Sequence, residues 1–483
     1  MDPILQLAID LPARGSRELL RALHAQLRSA ILDGRLQPGV RLPPTRALAG
    51  ACGVSRNTVV AAYDLLLSEG YLLARRGAGT YVADVLPGRR ERKAPARVAA
   101  ADRRLNAVWR DATTAAGAPS QDPPRHDFRL GVPDTTALRF DVWRRLSARA
   151  LRALSKTPAA YAQPQGRPAL REAIAKHVSF ARAVACRPDD VLVTAGAQQA
   201  FDLLARVLVT GDKTVFAIEN PGYPPMRAAF AAAGAKLVPV PVDHEGLMVE
   251  RLPDDARVIY VTPSHQFPLG SVMSARRRTA LLEFARTRSA VVIEDDYDGE
   301  FRFGGRPLDA LQTLDRAQSV FYVGTFSKSL YPALRLGFVV APPWAQAALV
   351  AAKQCADWHC NVLAQDTLAA FITEGHLARH MRRMRGVYAA RRELLLDGLR
   401  QDFNRWFEPI PSVAGLHLAA LAKSPLDVDK LIERAREHDV GVYSLREYDL
   451  RKASKPGLVL GYGAIDERGI AEGLARLRRA LRS

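Results

Sequence analysis

Near the start of the chain the apolar positions keep a helical period. Leu19, Leu20, Leu23, Leu27 and Ile31 recur three or four residues apart within Ser16–Leu32, which predicts an amphipathic helix. Asp33-Gly34 ends it, and Gln37-Pro38-Gly39 makes a turn. Pro43-Pro44-Thr45 then introduces a short helix over Arg46–Ala51, with Thr45 as its N-cap. Cys52-Gly53-Val54 reads as a tight turn. Ser55 caps a second helix that runs through Arg56, Asn57, Thr58 and Val59 to about Glu69. After Gly70 come two short strand-like runs, Tyr71–Ala74 and Gly79–Val82, joined by Arg75-Arg76-Gly77-Ala78.

From residue 127 onward short apolar runs alternate with amphipathic helical stretches. The runs are VLVTAG (191–196), TVFAIEN (214–220), VIYVTP (258–263), VVIEDD (291–296), VFYVGT (320–325) and GFVVAP (337–342). Strands separated by helices predict an α/β fold with a predominantly parallel sheet covered on both faces. Between the halves, residues 85–126 are rich in Arg, Ala and Pro and read as a linker with a helical patch around Leu105–Arg110. Its cluster Arg89, Arg90, Arg92 and Lys93 suits a solvated linker or contact with DNA phosphates. The expected organisation is a domain over 14–84, the linker 85–126, and a second domain over 127–483. No internal repeat of solenoid type is apparent.

Composition narrows the picture. The 483 residues are 48% hydrophobic and 7% aromatic, enough for sizeable cores and incompatible with global disorder. Lys+Arg 69 against Asp+Glu 50 leaves a formal charge of +19, which suits a polyanionic partner, nucleic acid or anionic lipid, or an arginine-rich genome. Cys52, Cys186, Cys355 and Cys360 are too few and too scattered for a disulfide framework or a zinc site. That suits a reducing cytoplasm. The opening MDPILQLAIDLPARG has no leader pattern, and no stretch of about 18 uncharged apolar residues occurs, so a cytoplasmic location without a membrane span is expected.

Helix, helix–turn–helix, then a hairpin with a basic tip is the layout of a winged helix-turn-helix. The second helix of such a pair enters the DNA major groove while the first helix and the wing clamp the backbone. Arg56, Asn57 and Thr58 lie in the first turn of that recognition helix, Arg46 starts the preceding one, and Arg75, Arg76 and Gly77 form the wing tip. The stretch from Leu36 to Val82 resembles the GntR-type winged helix nearly end to end. The resemblance implies that Arg46, Arg56, Asn57, Thr58 and Arg76–Gly77 contact double-stranded DNA, with the protein bound as a dimer to a palindrome or repeats.

In the second half the residues following each strand are the candidates for chemistry, because ligands of parallel sheets bind at the strands' carboxyl ends. Gly196-Ala197-Gln198 leads into a helix expected over Ala200–Val209, and such a turn offers free N–H groups to a phosphate. Glu294-Asp295-Asp296 is followed by Tyr297, and Thr325-Phe326-Ser327-Lys328-Ser329 is followed by Arg335. Each segment alone is ambiguous. Together they resemble the fold-type I, aspartate-aminotransferase-like pyridoxal-phosphate enzymes, with a large domain and a small C-terminal α+β domain. The resemblance implies pyridoxal 5′-phosphate as cofactor and Lys328 as the lysine that forms its internal aldimine. It implies that Asp295 pairs with the pyridine nitrogen and that Tyr297 bonds the 3′-oxygen. By the same match Tyr223 stacks on the ring, and Ala197, Gln198, Thr325, Ser327 and Arg335 form the phosphate cup. Tyr161 matches the tyrosine that reaches the neighbouring subunit's phosphate, which implies a homodimer.

Two segments depart from the enzymes. Where Asn-Pro-Thr-Gly is usual, the chain has Phe267-Pro268-Leu269-Gly270, with His265 or Gln266 as substitutes for the missing amide. Where an arginine usually grips the substrate carboxylate the chain has Gly461, and Arg446 is the nearest candidate for binding an effector's anionic group or, equally, for a surface ion pair. SHQFPLG, EDDYDGEF and GTFSKSL, downstream of a winged helix, resemble the MocR/GabR family of bacterial transcription regulators. That resemblance implies a head-to-tail dimer sensing an amine, an amino acid or a pyridoxal-phosphate-related effector by aldimine exchange at Lys328. The alternative it leaves is an active aminotransferase carrying a DNA-binding domain.

Overall fold

The computed structural model describes residues 9–12, 16, 18–75, 77–84, 122–158, 160–304, 308–423, 426–451 and 455–482. Arg76, the basic cluster at 89–93 and the patch at 105–110 lie outside them. The chain divides into two compact units, one within 1–106 and the other within 107–483.

The first unit contains helices α1 (Leu19–Leu32), α2 (Thr45–Cys52) and α3 (Arg56–Ser68) and a hairpin of β1 (Leu72–Arg75) and β2 (Gly79–Val82). Leu23, Leu27, Ile31, Leu48, Val59, Tyr63, Leu66, Leu72 and Val82 form its core. The predicted apolar face of α1 is buried from Leu23 onward, while Leu19 and Leu20 are half-buried at the open end. Ser55 caps α3 as expected, its Oγ accepting from the Thr58 N–H at 3.1 Å. Thr45, in contrast, is not a cap: the extended Pro44 occupies that place and Thr45 is already helical. The wing also has a third member that the sequence pattern hides. Gly39 N–H donates to Val82, Val82 N–H to Val40, and Leu42 N–H to Thr80, so the segment after the Pro38 turn pairs with β2.

The second unit is built on an eight-stranded sheet: β3 (Val191–Thr194), β4 (Val215–Asn220), β5 (Lys236–Asp243), β6 (Gly246–Leu247), β7 (Ala256–Val261), β8 (Val291–Asp296), β9 (Val320–Thr325) and β10 (Gly337–Val340). Their order is β3-β10-β9-β8-β7-β4-β5-β6. The β9/β8, β8/β7, β7/β4 and β4/β5 pairs are parallel, and β10 runs antiparallel to both neighbours. Strand β5 escaped the sequence reading because KLVPVPVD contains two prolines. Pro239 and Pro241 are two residues apart, so both missing N–H groups fall on one side and the other side is free to pair with β4. The helix after β3 begins at Ala197 and runs to Leu208 (α4), three residues earlier than expected, because Gly196 at φ +78° turns the chain at once.

The long helix α5 (His376–Asp402) leads into a smaller antiparallel sheet of β11 (Phe407–Pro409), β12 (His417–Ala422), β13 (Tyr443–Ser444) and β14 (Gly457–Gly461), covered by α6 (Glu467–Ala480). Arg125 and His126, assigned by composition to the linker, are hydrogen-bonded through their N–H groups to Asp439 and so belong to this unit. Among the described residues no helix is long and apolar enough to cross a membrane.

Candidate functional site

The carboxyl ends of β3, β4, β7, β8 and β9 lie on one edge of the large sheet, and a cavity of about 600 Å³ opens there. Because β10 alone separates β3 from β9, residues far apart in sequence meet. Ala197 and Gln198 enter from the first turn of α4; Thr325, Ser327 and Lys328 come from the turn after β9; Arg335 comes from the approach to β10. Ser327 N–H donates to Thr325 Oγ1 at 3.2 Å, and the two hydroxyls are 3.1 Å apart. Arg335 donates to the Ala195 carbonyl at 2.7 Å. A Cβ on Gly196 would stand 2.9 Å from the Arg335 guanidinium, so the glycine keeps this corner open. Free helix N–H groups, two hydroxyls and a guanidinium make a phosphate cup.

Lys328 is half-buried, and desolvation holds its amine below the usual lysine range, against the pull of Asp298 and Asp295. Its Nζ donates to the Gly131 carbonyl at 2.5 Å, and a Cβ on Gly131 would lie 2.7 Å from Nζ. Asp295, near the end of β8, is 4% exposed. Its Oδ2 accepts from Tyr260 at 2.6 Å, but its Oδ1 has no partner. Burial pushes this carboxyl up to about 7. An orphaned carboxylate oxygen in a cavity wall calls for a cationic N–H, which a protonated pyridine ring supplies. With the phosphate cup and a lysine amine held below its usual range, this is the donor set that pyridoxal 5′-phosphate requires, and the residues present fit it.

Tyr223 and Tyr297 also line the cavity. The Tyr297 hydroxyl donates to the His265 carbonyl at 3.0 Å and lies 2.9 Å from its Nδ1. Neither His265 nor Gln266 replaces the absent asparagine amide at the cavity. Gln266 spends its amide on the Pro221 and Phe267 carbonyls at 2.9 and 2.7 Å, and its oxygen accepts from Leu269. His265 is held between Asp298 at 3.1 Å and Ser412 at 3.1 Å. Phe267 itself forms wall, its ring centroid 5.4 Å from Tyr223 and 5.2 Å from Tyr448. An apolar edge therefore stands where an amide was expected.

Arg446 requires a correction. It sits on the single turn Leu445–Tyr448, which sends Glu447 and Tyr448 into the cavity and Arg446 outward, 3.8 Å from Asp429. Tyr161 does not line the cavity in this chain. It is 76% exposed, with its ring 4.5 Å from that of Trp358. Sequence reasoning missed Tyr260, Asp298, His417 and Glu447. Tyr260 was findable as the polar residue one strand over from Asp295, and Asp298 as the next acid after Tyr297 in EDDYDGEF; His417 and Glu447 depend on how the smaller sheet folds back.

In the first unit, Arg46, Arg56 and Asn57 are exposed and have no hydrogen-bond or ion-pair partner among the described residues. Thr58 is different, since its Oγ1 lies 2.8 Å from Ser55 Oγ within the cap. Arg75 lies over the Tyr81 ring at 4.7 Å, and Gly77 at φ +75° makes the wing turn.

Residues 19–82 match the model of the bacterial regulatory proteins of the gntR family, and residues 127–451 that of aminotransferase class I and II. The chain is 38% identical to a probable rhizopine catabolism regulatory protein, MocR, of Rhizobium meliloti, over 95% of this chain and 93% of that one. It is 33% identical to the pyridoxine biosynthesis transcriptional regulator PdxR of Corynebacterium glutamicum, over 95% of each. Among solved structures, α-aminoadipate aminotransferase LysN of Thermus thermophilus, complexed with N-(5′-phosphopyridoxyl)-L-leucine, aligns at a TM-score of 0.68 and 31% identity, over 74% of this chain and 92% of that one. A winged helix and a pyridoxal-phosphate cavity in one chain, matched along nearly its whole length by regulators, place it in the MocR-type family of transcription regulators, with a GntR winged helix joined to an aminotransferase-like domain.

Proposed function

We propose that this chain binds operator DNA through its winged helix as a homodimer and senses a small amine, amino acid or pyridoxal-phosphate-related effector in the cavity around Lys328. The observation that carries the reading is the grouping of Lys328, Asp295, Thr325, Ser327 and Arg335 around one cavity, on the same chain as a capped recognition helix with unpartnered Arg56 and Asn57. Bound in the cavity, pyridoxal 5′-phosphate supplies an aldehyde that condenses reversibly with primary amines. Arg335, Thr325, Ser327 and the N–H groups at Ala197 and Gln198 hold the phosphate. Asp295 would keep a proton on the ring nitrogen, Tyr223 would lie against the ring, and Tyr297 would offer the 3′-oxygen the hydroxyl that now donates to His265. Lys328, its amine held below the usual lysine range by desolvation, would be the amine that an effector replaces. Tyr161 and Trp358, exposed side by side, suit contact with a second copy.

Displacement of Lys328 would bias the cavity between open and closed forms, and the linker would pass this to the DNA-reading heads. The coupling is reciprocal, so an effector that weakens DNA binding binds less well to the DNA complex. The retention of Lys328, Asp295 and Arg335 together supports a second reading, an aminotransferase that uses the winged helix for localisation.

One experiment separates the two. The purified, cofactor-loaded protein is titrated with a panel of amines while its visible absorbance and its affinity for DNA upstream of its own gene are both followed. A band shift with one amine and a parallel change in DNA affinity supports sensing. Sustained turnover with a keto acid, on the order of tens per second, without a change on DNA, would favour the enzyme.

A further inference from the structure

The charged groups lining the cavity show what the far end of an effector meets. They are Lys328 and Arg335 on the positive side and Asp295, Asp298 and Glu447 on the negative side. Four of the five are committed: Lys328 and Asp295 to the cofactor, Arg335 to its phosphate, and Asp298 to His265 at 3.1 Å. Glu447 has no hydrogen-bond or ion-pair partner among the described residues. Its carboxyl is pushed up by burial and by Asp429, the condition of a carboxylate lacking a cation.

No lining group is left to receive a carboxylate. His417 is kept neutral by burial and by its neighbour His265. Strand β14 carries no charged residue, and a Cβ on Gly461 would stand 2.1 Å from the Arg129 carbonyl, so an arginine does not fit there. The nearby guanidiniums are engaged elsewhere. Arg129 pairs with Asp127 at 2.7 Å, Arg227 bonds the Gly222 and Tyr448 carbonyls at 2.7 and 2.9 Å, and Arg446 faces Asp429. An effector carboxylate would therefore face the exposed Glu447 without a cationic partner, whereas a cation there would pair with it.

We infer that the effector is a primary amine whose far end carries a second cationic group instead of a carboxylate, received by Glu447. This rests on the sensing reading above and names the ligand class of the same cavity.

The test compares 1,4-diaminobutane with 4-aminobutyrate, similar in length and opposite in charge at the far end. Each is titrated into the full-length, cofactor-loaded protein, with visible absorbance, calorimetric binding and DNA affinity as readouts. The diamine is expected to act at a concentration at least about tenfold lower, and Glu447→Gln is expected to erase most of that difference. A 4-aminobutyrate response at equal or lower concentration, as an arginine delivered by a second copy would produce, overturns the inference while leaving sensing intact. So does a preference that survives Glu447→Gln. If neither compound moves the band or the DNA affinity, this inference falls, and the panel of amines decides the sensing reading separately.

Discussion

Replacing Asp295 by asparagine tests the cavity most directly, because it acts in opposite directions with and without cofactor. In the cofactor-free protein Asp295 has one oxygen on Tyr260 and the other on nothing, and its carboxyl is raised from 3.8 to about 7. The native state therefore holds this proton more tightly than the unfolded chain does. Its contribution to stability is greatest below pH 4, falls as the pH rises through about 7, and is then constant. The raised value sets a ceiling of about 4 kcal/mol on the penalty once the group is ionised. Asparagine keeps an acceptor for Tyr260 and never ionises. The cofactor-free variant should thus exceed the wild type in stability at pH 8 by at least about 1 kcal/mol, with the difference vanishing near pH 4. Glu294, also raised to about 7 by burial, is present in both proteins and cancels, while Glu219, which the Asp295 charge helps to raise, is eased by the substitution in the same direction. With pyridoxal 5′-phosphate loaded the order reverses, because a neutral amide does not hold the ring proton. Urea unfolding of both forms between pH 4.5 and 8.5 reads both effects. A cofactor-free variant no more stable than wild type at pH 8, or a difference independent of pH, refutes the account of Asp295.

Three further outcomes are expected. Lys328→Ala should abolish the visible band and leave no cofactor attached after borohydride reduction while the fold persists; attachment in that variant would assign the amine elsewhere. Arg56→Ala should weaken specific DNA binding by about 1–3 kcal/mol if the side chain reads a base, and weaken all sequences alike with a shallower salt dependence if it touches phosphate; unchanged binding on both removes it from the interface. Ser55→Ala deletes the acceptor for the Thr58 N–H and should cost about 1 kcal/mol of stability, visible as faster amide exchange in the first turn of α3.

Much of this protein was legible in the order of its residues. Period and punctuation, which are local properties, were enough for α1, α3, the hairpin and the six strands whose ends carry the cofactor residues. That Lys328, Asp295, Tyr223 and Arg335 would face one cavity was legible because they sit directly at strand ends or in turns whose geometry the nearby chain imposes. Where local signals competed the reading slipped: Thr45 resembled a cap although Pro44 already supplied the extended residue, and the prolines of β5 masked a strand whose proline positions need a partner on one side only.

The remainder depends on neighbours distant in sequence. That β3 and β9 flank β10, and so bring Ala197 beside Arg335, follows from strand order, which no local pattern encodes. The orphaned oxygen of Asp295 exists only because Tyr260 from the adjacent strand satisfies the other one. Gln266 was a plausible stand-in for the missing asparagine until three main-chain partners claimed its amide. Arg446 and Glu447 are adjacent in sequence, yet a single helical turn points one at Asp429 and the other into the cavity. Residue type thus determined which chemistry was available, while the tertiary structure decided which groups were already spent. A charge is active only where folding has left it without a partner.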